Sequence, residues 1–175
     1  MIDRSVLLWF VRHREPWLTT AVRIVTTLGS SAVLIPLVLI IGLWYRWRHH
    51  RPRPLALLGG AYGGSFLLSQ AVKALTHRAR PPAGLAVGHF GGYAFPSGHA
   101  TEAAAVYGML AFVVATGASP RRVRVAVWAG TVLLVTLIGI TRLYLAAHWL
   151  TDVLAGWALG SAWALLIAGA KPRRV

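Results

Sequence analysis

The chain has 175 residues, a length that fits one domain, and 57% of them are hydrophobic. Eighteen lysines and arginines face only four acidic residues, Asp3, Glu15, Glu102 and Asp152, giving a net charge of +14. A soluble domain needs a mixed charged surface that this composition does not supply, and the lack of cysteine excludes disulfides and thiolate metal sites.

The first apolar stretch, Ser5 to Val11, is brief. It runs into Arg12-His13-Arg14-Glu15-Pro16 with no small-residue cleavage site, so it does not read as a secretory signal. From Trp17 to Tyr45 the apolar character is nearly continuous, and about 29 residues at ~1.5 Å rise exceed a ~30 Å bilayer core. Gly29-Ser30-Ser31 is the natural break. Before it, Thr19, Thr20, Arg23, Thr26 and Thr27 recur at helical spacing opposite Trp17, Ala21, Val22, Ile24, Val25 and Leu28. Such an amphipathic stripe suits the membrane surface better than a span.

After the break the pattern predicts spanning helices at 31–47, 54–76, 98–117, 124–143 and 147–169, each near the ~20 residues a crossing needs. The expected fold is all-α: a polytopic transmembrane helical bundle of about five spans plus an N-terminal amphipathic helix. It forms a single domain over 1–175, with an interfacial segment at 1–30 and a helical core at 31–170. Trp44, Tyr45 and Trp47 beside Arg46 and Arg48 read as an interfacial aromatic belt. The one long polar connection is 77–97, where Pro81-Pro82 is expected to stop the preceding helix and several glycines keep the loop pliable. Loops of that length tend to be functional.

The positive charge gathers at span ends: Arg46, Arg48, Arg51 and Arg53; Arg121, Arg122 and Arg124; Lys171, Arg173 and Arg174. That is the distribution of cytoplasmic loops rather than of a nucleic-acid surface. A cytoplasmic C-terminus follows, and the span ends near 76, 98, 143 and 148 are placed on the non-cytoplasmic face.

Those outward ends carry three clusters of chemistry-bearing residues. His148 and Asp152 lie four apart at the expected start of the last helix, so both face one way. A carboxylate beside an imidazole fixes its tautomer and supports the cation formed when the other nitrogen attacks. A structural pairing at a helix start is the bland alternative. Pro96-Ser97-Gly98-His99 opens another helix, where free amides bind anions and glycine permits close approach; a simple cap with an interfacial histidine is the plain reading of that tetrapeptide alone. Lys73, Arg80 and Arg142 add positive charge around the same place, with snorkelling to the headgroups as the alternative for Lys73 and Arg142.

In order and spacing, Lys73 with Arg80-Pro81, then Pro96-Ser97-Gly98-His99, then Thr141-Arg142 with His148 and Asp152 resemble the signature of the type 2 phosphatidic acid phosphatase superfamily, which also holds the vanadium-dependent haloperoxidases. The fixed positions agree except for threonine at 141, where the family pattern has serine. The resemblance implies that His148 attacks phosphorus to give a phosphohistidine, that Asp152 orients it, and that His99 protonates the leaving oxygen. It further implies that Lys73, Arg80, Ser97, Gly98 and Arg142 hold the phosphate, with Thr141 keeping its contact in altered geometry. Many members have six spans, and this chain lacks a full first one.

Glu102, one turn beyond His99 in an apolar helix, is an ionisable group at membrane depth. It is expected to tune His99, to contact Arg142, or to make a structural hydrogen bond near the interface. Arg78 and His77 fall at spacer positions and read as solvent-exposed, and His49 and His50 are assigned no chemistry. Four acids, two of them near the N-terminus, cannot clamp a pair of metal ions. Metal-independent turnover without a cofactor is therefore expected.

Implied substrates are phosphatidate, phosphatidylglycerophosphate and polyprenyl diphosphates, with a lean towards undecaprenyl diphosphate because a short chain with a long outer loop fits a bacterial cell-envelope enzyme. The partners are then a membrane lipid phosphate and the bilayer, with no nucleic acid; the sequence carries no signature of oligomeric state. A catalytically silent lipid-binding or transport relative is expected to lose His99 or His148, and haloperoxidase relatives resemble larger soluble proteins.

Overall fold

The computed structural model describes residues 2–117 and 120–170. Among them are seven α-helices and no strand: α1 (Ile2–Arg12), α2 (Pro16–Thr27), α3 (Ser31–Arg48), α4 (Arg53–Thr76), α5 (Gly98–Ala115), α6 (Arg121–Tyr144) and α7 (Leu150–Gly169). Helices α3 to α7 are each long and apolar enough to cross a bilayer, and the protein is a multi-pass membrane protein. The expected basic residues Lys171, Arg173 and Arg174 lie outside the described residues.

Helix α5 is the hub. Of its apolar window 56% is buried, against 28% or less for the other four spans. Its inward positions are small: Ala100, Ala103, Ala104 and Ala105 are all buried. Facing them on α7 are Gly156 and Gly160, where a Cβ on Gly160 would run into the Thr101 carbonyl. With no solvent to drive helices together in lipid, such close backbone approach supplies the packing energy. Two tryptophans of α7 are seated the same way. Trp157 lies on Gly139 of α6 and donates its indole N–H to the Val135 carbonyl at 3.2 Å, while Trp163 lies on Gly64 of α4 and donates to the Gly60 carbonyl at 2.9 Å.

The outward faces remain apolar. Leu39, Ile40, Val132, Leu133, Leu165 and Leu166 are exposed, as the lipid-facing side of a bundle should be. Trp44 and Trp47 are exposed at one end of the bundle, and Trp9 and Trp17 on the N-terminal helices at the other, so aromatic residues mark both interfaces.

Three features differ from expectation. Helix α4 ends at Thr76 as expected, but the stop is His77, which takes a left-handed conformation at φ 48° with its N–H closed on the Lys73 carbonyl, rather than Pro81-Pro82. Helix α7 begins at Leu150 rather than 147, since residues 145–149 form a turn with Ala146 at φ 53°. The third difference concerns α2: part of its polar stripe faces protein. Val22 is buried, Thr19 shares a hydrogen bond of 2.8 Å with the Tyr144 hydroxyl, and Thr26 accepts one from Arg142. Period-3.6 patterning marks a face but not what covers it. The Gly29-Ser30-Ser31 break falls where expected, between α2 and α3.

Helices α1 and α2 therefore close over the end of the bundle where α4 and α6 finish and α5 and α7 start. Val6 and Phe10 of α1 pack on Ala100, Leu143 and Val153. Arg14, between α1 and α2, donates to the Tyr144 carbonyl at 2.7 Å and the Leu85 carbonyl at 2.7 Å, tying the long loop to α6.

Candidate functional site

The three sequence clusters meet at that closed end. Ser97 caps α5 in an extended conformation, and its N–H donates to the Asp152 carbonyl at 3.0 Å, which joins the second cluster to the third. Its carbonyl takes both the N–H and the hydroxyl of Thr101 at 2.9 Å. Its own hydroxyl is buried and has no partner among the described residues. A buried hydroxyl left unpaired costs about 1–3 kcal/mol, so Ser97 Oγ is a donor awaiting an acceptor. The α5 amides beside it face the same space with the positive end of the helix dipole.

His148 sits in the turn before α7, not on the helix, and is only 3% exposed. Its Nδ1–H donates to the Ala94 carbonyl at 2.8 Å, which fixes the tautomer and leaves Nε2 unprotonated. Asp152 Oδ2 lies 3.5 Å from Nδ1, so the expected pairing is present but is the longer of the two contacts. The carboxylate is fully buried and caps α7 by accepting the Trp149 N–H at 2.8 Å. Burial pushes the His148 imidazole down to about 4; the Asp152 contact opposes this, while Arg142, Arg80 and Lys73 reinforce it. The ring is neutral at pH 7, as a nitrogen nucleophile must be.

Arg80 and Arg142 flank this nitrogen. Arg80 Nη1 donates to the Ala147 carbonyl at 2.7 Å and stands 3.3 Å from His148 Nε2, while its Nε is held by the carbonyls of Gly91 and Gly92 at 3.1 and 3.0 Å. Arg142 is 4% exposed; its Nη1 donates to Thr26 Oγ1 at 2.7 Å, and its Nε is buried without a partner. Phe90 of the long loop lies over both guanidinium groups, 5.1 Å from Arg142 and 6.0 Å from Arg80. Arg80 also borders a cavity of about 590 Å³ beneath that loop. A guanidinium N–H and a hydroxyl without partners among the described residues, together with a helix N-terminus, are donors of the kind that suit a small anion.

Lys73 is placed as expected but is partly committed: its ammonium donates to the Tyr93 carbonyl at 3.1 Å and to the Pro96 carbonyl. It braces the segment leading into Ser97 and brings its charge to the same end of the bundle. His99, on the first turn of α5, has no hydrogen-bond partner among the described residues and lies against the Gly29 backbone.

The two supporting residues make contacts of their own. Thr141 donates its hydroxyl to the Ile138 carbonyl at 2.5 Å, a bond within its own helix. Glu102 makes no ion pair with Arg142 among the described residues; its contact is the Ser31 hydroxyl at 3.5 Å, the structural alternative.

The residue read as exposed that proves central is Arg78. Its Nη1 donates to Asp152 Oδ1 and to Thr151 Oγ1, and its Nη2 to Asp3 Oδ2, each at 2.6 Å. The only signal for it was an arginine two residues from Arg80 in a non-helical stretch, which places both on one side. Asp3, one of four acids in a strongly basic chain, offered a similar clue.

A family model described as "PAP2 superfamily" matches residues 54–175. The chain is 36% identical over 171 residues to "Phosphatidylglycerophosphatase B" of Bacillus subtilis (strain 168), covering 95% of this chain and 82% of that protein. It superposes with TM-score 0.89 on a crystal structure described as the first transmembrane PAP2 type phosphatidylglycerolphosphate phosphatase from Bacillus subtilis, at 32% identity over 95% of this chain and 83% of that one. A crystal structure of Aquifex aeolicus LpxE, 20% identical, shares the fold with TM-score 0.73 over 95% of this chain and 94% of its own.

Proposed function

Since the chain belongs to the PAP2 superfamily and is a membrane lipid phosphatase, we propose that it hydrolyses phosphatidylglycerophosphate on the non-cytoplasmic face through a phosphohistidine. The observation that carries the mechanism is the His148 ring, with Nδ1–H spent on the Ala94 carbonyl and Nε2 aimed beside Arg80. The 36%-identical relative supports the substrate, and moves it from undecaprenyl diphosphate, towards which the sequence leaned.

In the first step His148 Nε2 attacks phosphorus, and the P–O bond to the lipid breaks. His99, protonated when the phosphate dianion is bound, gives that proton to the departing alkoxide and becomes neutral. Arg80, Arg142, Lys73, Ser97 Oγ and the α5 amides including Gly98 take the charge that builds on the phosphoryl oxygens. Water then attacks the phosphohistidine, His99 accepts its proton, and inorganic phosphate leaves with His148 restored. These groups meet that charge with cations and N–H donors of the protein itself, and the proposed turnover is metal-independent.

The facing follows from the ends of the spans. The site lies where α4 and α6 end, whereas Arg46, Arg48, Arg51 and Arg53 and the Arg121–Arg124 cluster lie at the opposite ends of α3, α4 and α6. Basic residues mark the cytoplasmic side.

The test is phosphate release by detergent-solubilised protein from a panel of lipid phosphates, with chelator present, beside His148→Ala. Release that is fastest with phosphatidylglycerophosphate and vanishes in the variant is the expected result. Near-normal turnover by His148→Ala would overturn the mechanism, and faster release from undecaprenyl diphosphate would overturn the substrate.

A further inference from the structure

Arg78 stands at the centre of a bonded chain that ends on the proposed nucleophile. Its side chain bridges Asp3 of α1 and Asp152 of α7. Its carbonyl accepts the Ala94 N–H at 2.8 Å, and the Ala94 carbonyl in turn takes His148 Nδ1–H at 2.8 Å. One residue thus supports both groups that touch Nδ1.

Asp3 holds Arg78 in place. Its Oδ2 accepts from Arg78 Nη2 and from the Thr151 hydroxyl at 2.7 Å, and its Oδ1 accepts the Thr151 N–H at 2.9 Å. These bonds outweigh the cost of burying Asp3 and keep its carboxyl below the usual range. Asp3 lies outside the residues matched by the family model, so the family pattern does not account for it.

We infer that Asp3, acting through Arg78, is a positioning residue that fixes the electrostatics and orientation of the Asp152–His148 pair. The inference rests on His148 being the nucleophile. A guanidinium bonded to Asp152 alone would cancel the carboxylate that His148 needs. With Asp3 on its other edge, two carboxylates surround one guanidinium and one net negative charge remains beside the imidazole. The other charged or titratable groups facing His148 are Lys73 from α4, Arg80 from the loop, His99 from α5 and Arg142 from α6, all cationic or neutral. The Asp3–Arg78–Asp152 group is therefore the counterweight to a cationic cage.

A tether that merely pinned α1 to α7 would predict loss of stability from either partner. The charge argument predicts more: opposite effects on the pH at which His148 becomes neutral. Asp3→Asn removes a negative charge and lowers that pH; Arg78→Gln removes a positive one and raises it. Each shift is about 0.5–1 pH unit for a unit charge at this range in a partly screened site. The double variant restores the original net charge and brings the profile back towards wild type.

The experiment is the pH dependence of kcat/KM for phosphate release by the full chain in detergent. It compares wild type, Asp3→Asn, Arg78→Gln, the double variant and His148→Ala, with thermal unfolding recorded for each. Acid limbs that move in opposite directions and converge in the double variant are expected, with kcat down about tenfold in each single variant. Acid limbs that stay put, or move the same way, would overturn the inference. Undiminished release by His148→Ala would instead overturn the nucleophile assignment, a separate outcome. If Asp3→Asn unfolds, Arg78→Gln and the double variant still decide: a double variant as displaced as Arg78→Gln refutes the role of Asp3.

Discussion

The Ser97 N–H and the Asp152 carbonyl, 3.0 Å apart, bind the start of α5 to the start of α7. Residues 55 positions apart in sequence thus share one backbone bond, and the N-terminus of α5 is set level with Asp152, the residue paired with the proposed nucleophile. The bond forms only if α5 and α7 approach as closely as Gly156 allows.

Gly156 should therefore be intolerant of a side chain. A Cβ there would stand 2.9 Å from both the Ser97 carbonyl oxygen and Ala100 Cβ. Gly156→Ala is expected to cost about 1–3 kcal/mol and to lower kcat/KM, read by thermal unfolding in detergent and by phosphate release. Gly63→Ala, where a Cβ meets nothing within 4 Å, is the matched control and should be neutral or slightly stabilising.

The pH profile should carry the mark of a buried histidine. His148 titrates near 4 in the folded protein, below its ordinary 6.5. Its neutral form is thus favoured by folding, and the stability it contributes is full above about 6.5 and is lost as pH falls towards 4. Activity should persist through pH 5–6, and an acid limb near 6.5 in kcat/KM would contradict the assignment.

His99→Ala should discriminate between leaving groups. A proton donor is worth about 10²–10⁴-fold when an alkoxide departs and little when the leaving group is stable as an anion. The variant should lose turnover of phosphatidylglycerophosphate by that order yet keep most of its activity on an aryl phosphate. Equal losses on both would exclude the acid role.

Arg142 should matter through its geometry as well as its charge. Its Nε has no partner among the described residues, while Nη1 is held by Thr26. Arg142→Lys keeps the charge but loses the fork, so inhibition by vanadate should weaken about tenfold or more, with kcat/KM falling in parallel. Unchanged vanadate inhibition would place Arg142 outside the cage.

The spans and the three clusters were legible because each is written locally, in hydropathy over some twenty residues and in fixed spacings. Ends set by backbone conformation were less so: nothing in the composition of 145–149 told that Ala146 would turn left-handed and hold the start of α7 back to Leu150. Arg78 and Asp3 were missed for a different reason. Their significance lies in a contact spanning 75 residues, and a spacer arginine looks the same whether solvated or bridged. The threonines of α2 show the same limit: their periodicity was plain, but a face turned towards Arg142 and Tyr144 carries the same pattern as one turned towards water.

The bond between Asp3 and Thr151 spans 148 residues, and it sets an order on biogenesis. Asp3 leaves the ribosome long before Thr151, and chains elongate at only ~5–20 residues per second. For that interval Asp3 has no Thr151 to pair with. His148, Thr151 and Asp152 arrive together with the last span. On the proposed mechanism a chain without that span lacks its nucleophile, and hydrolysis would begin only once α7 is in place.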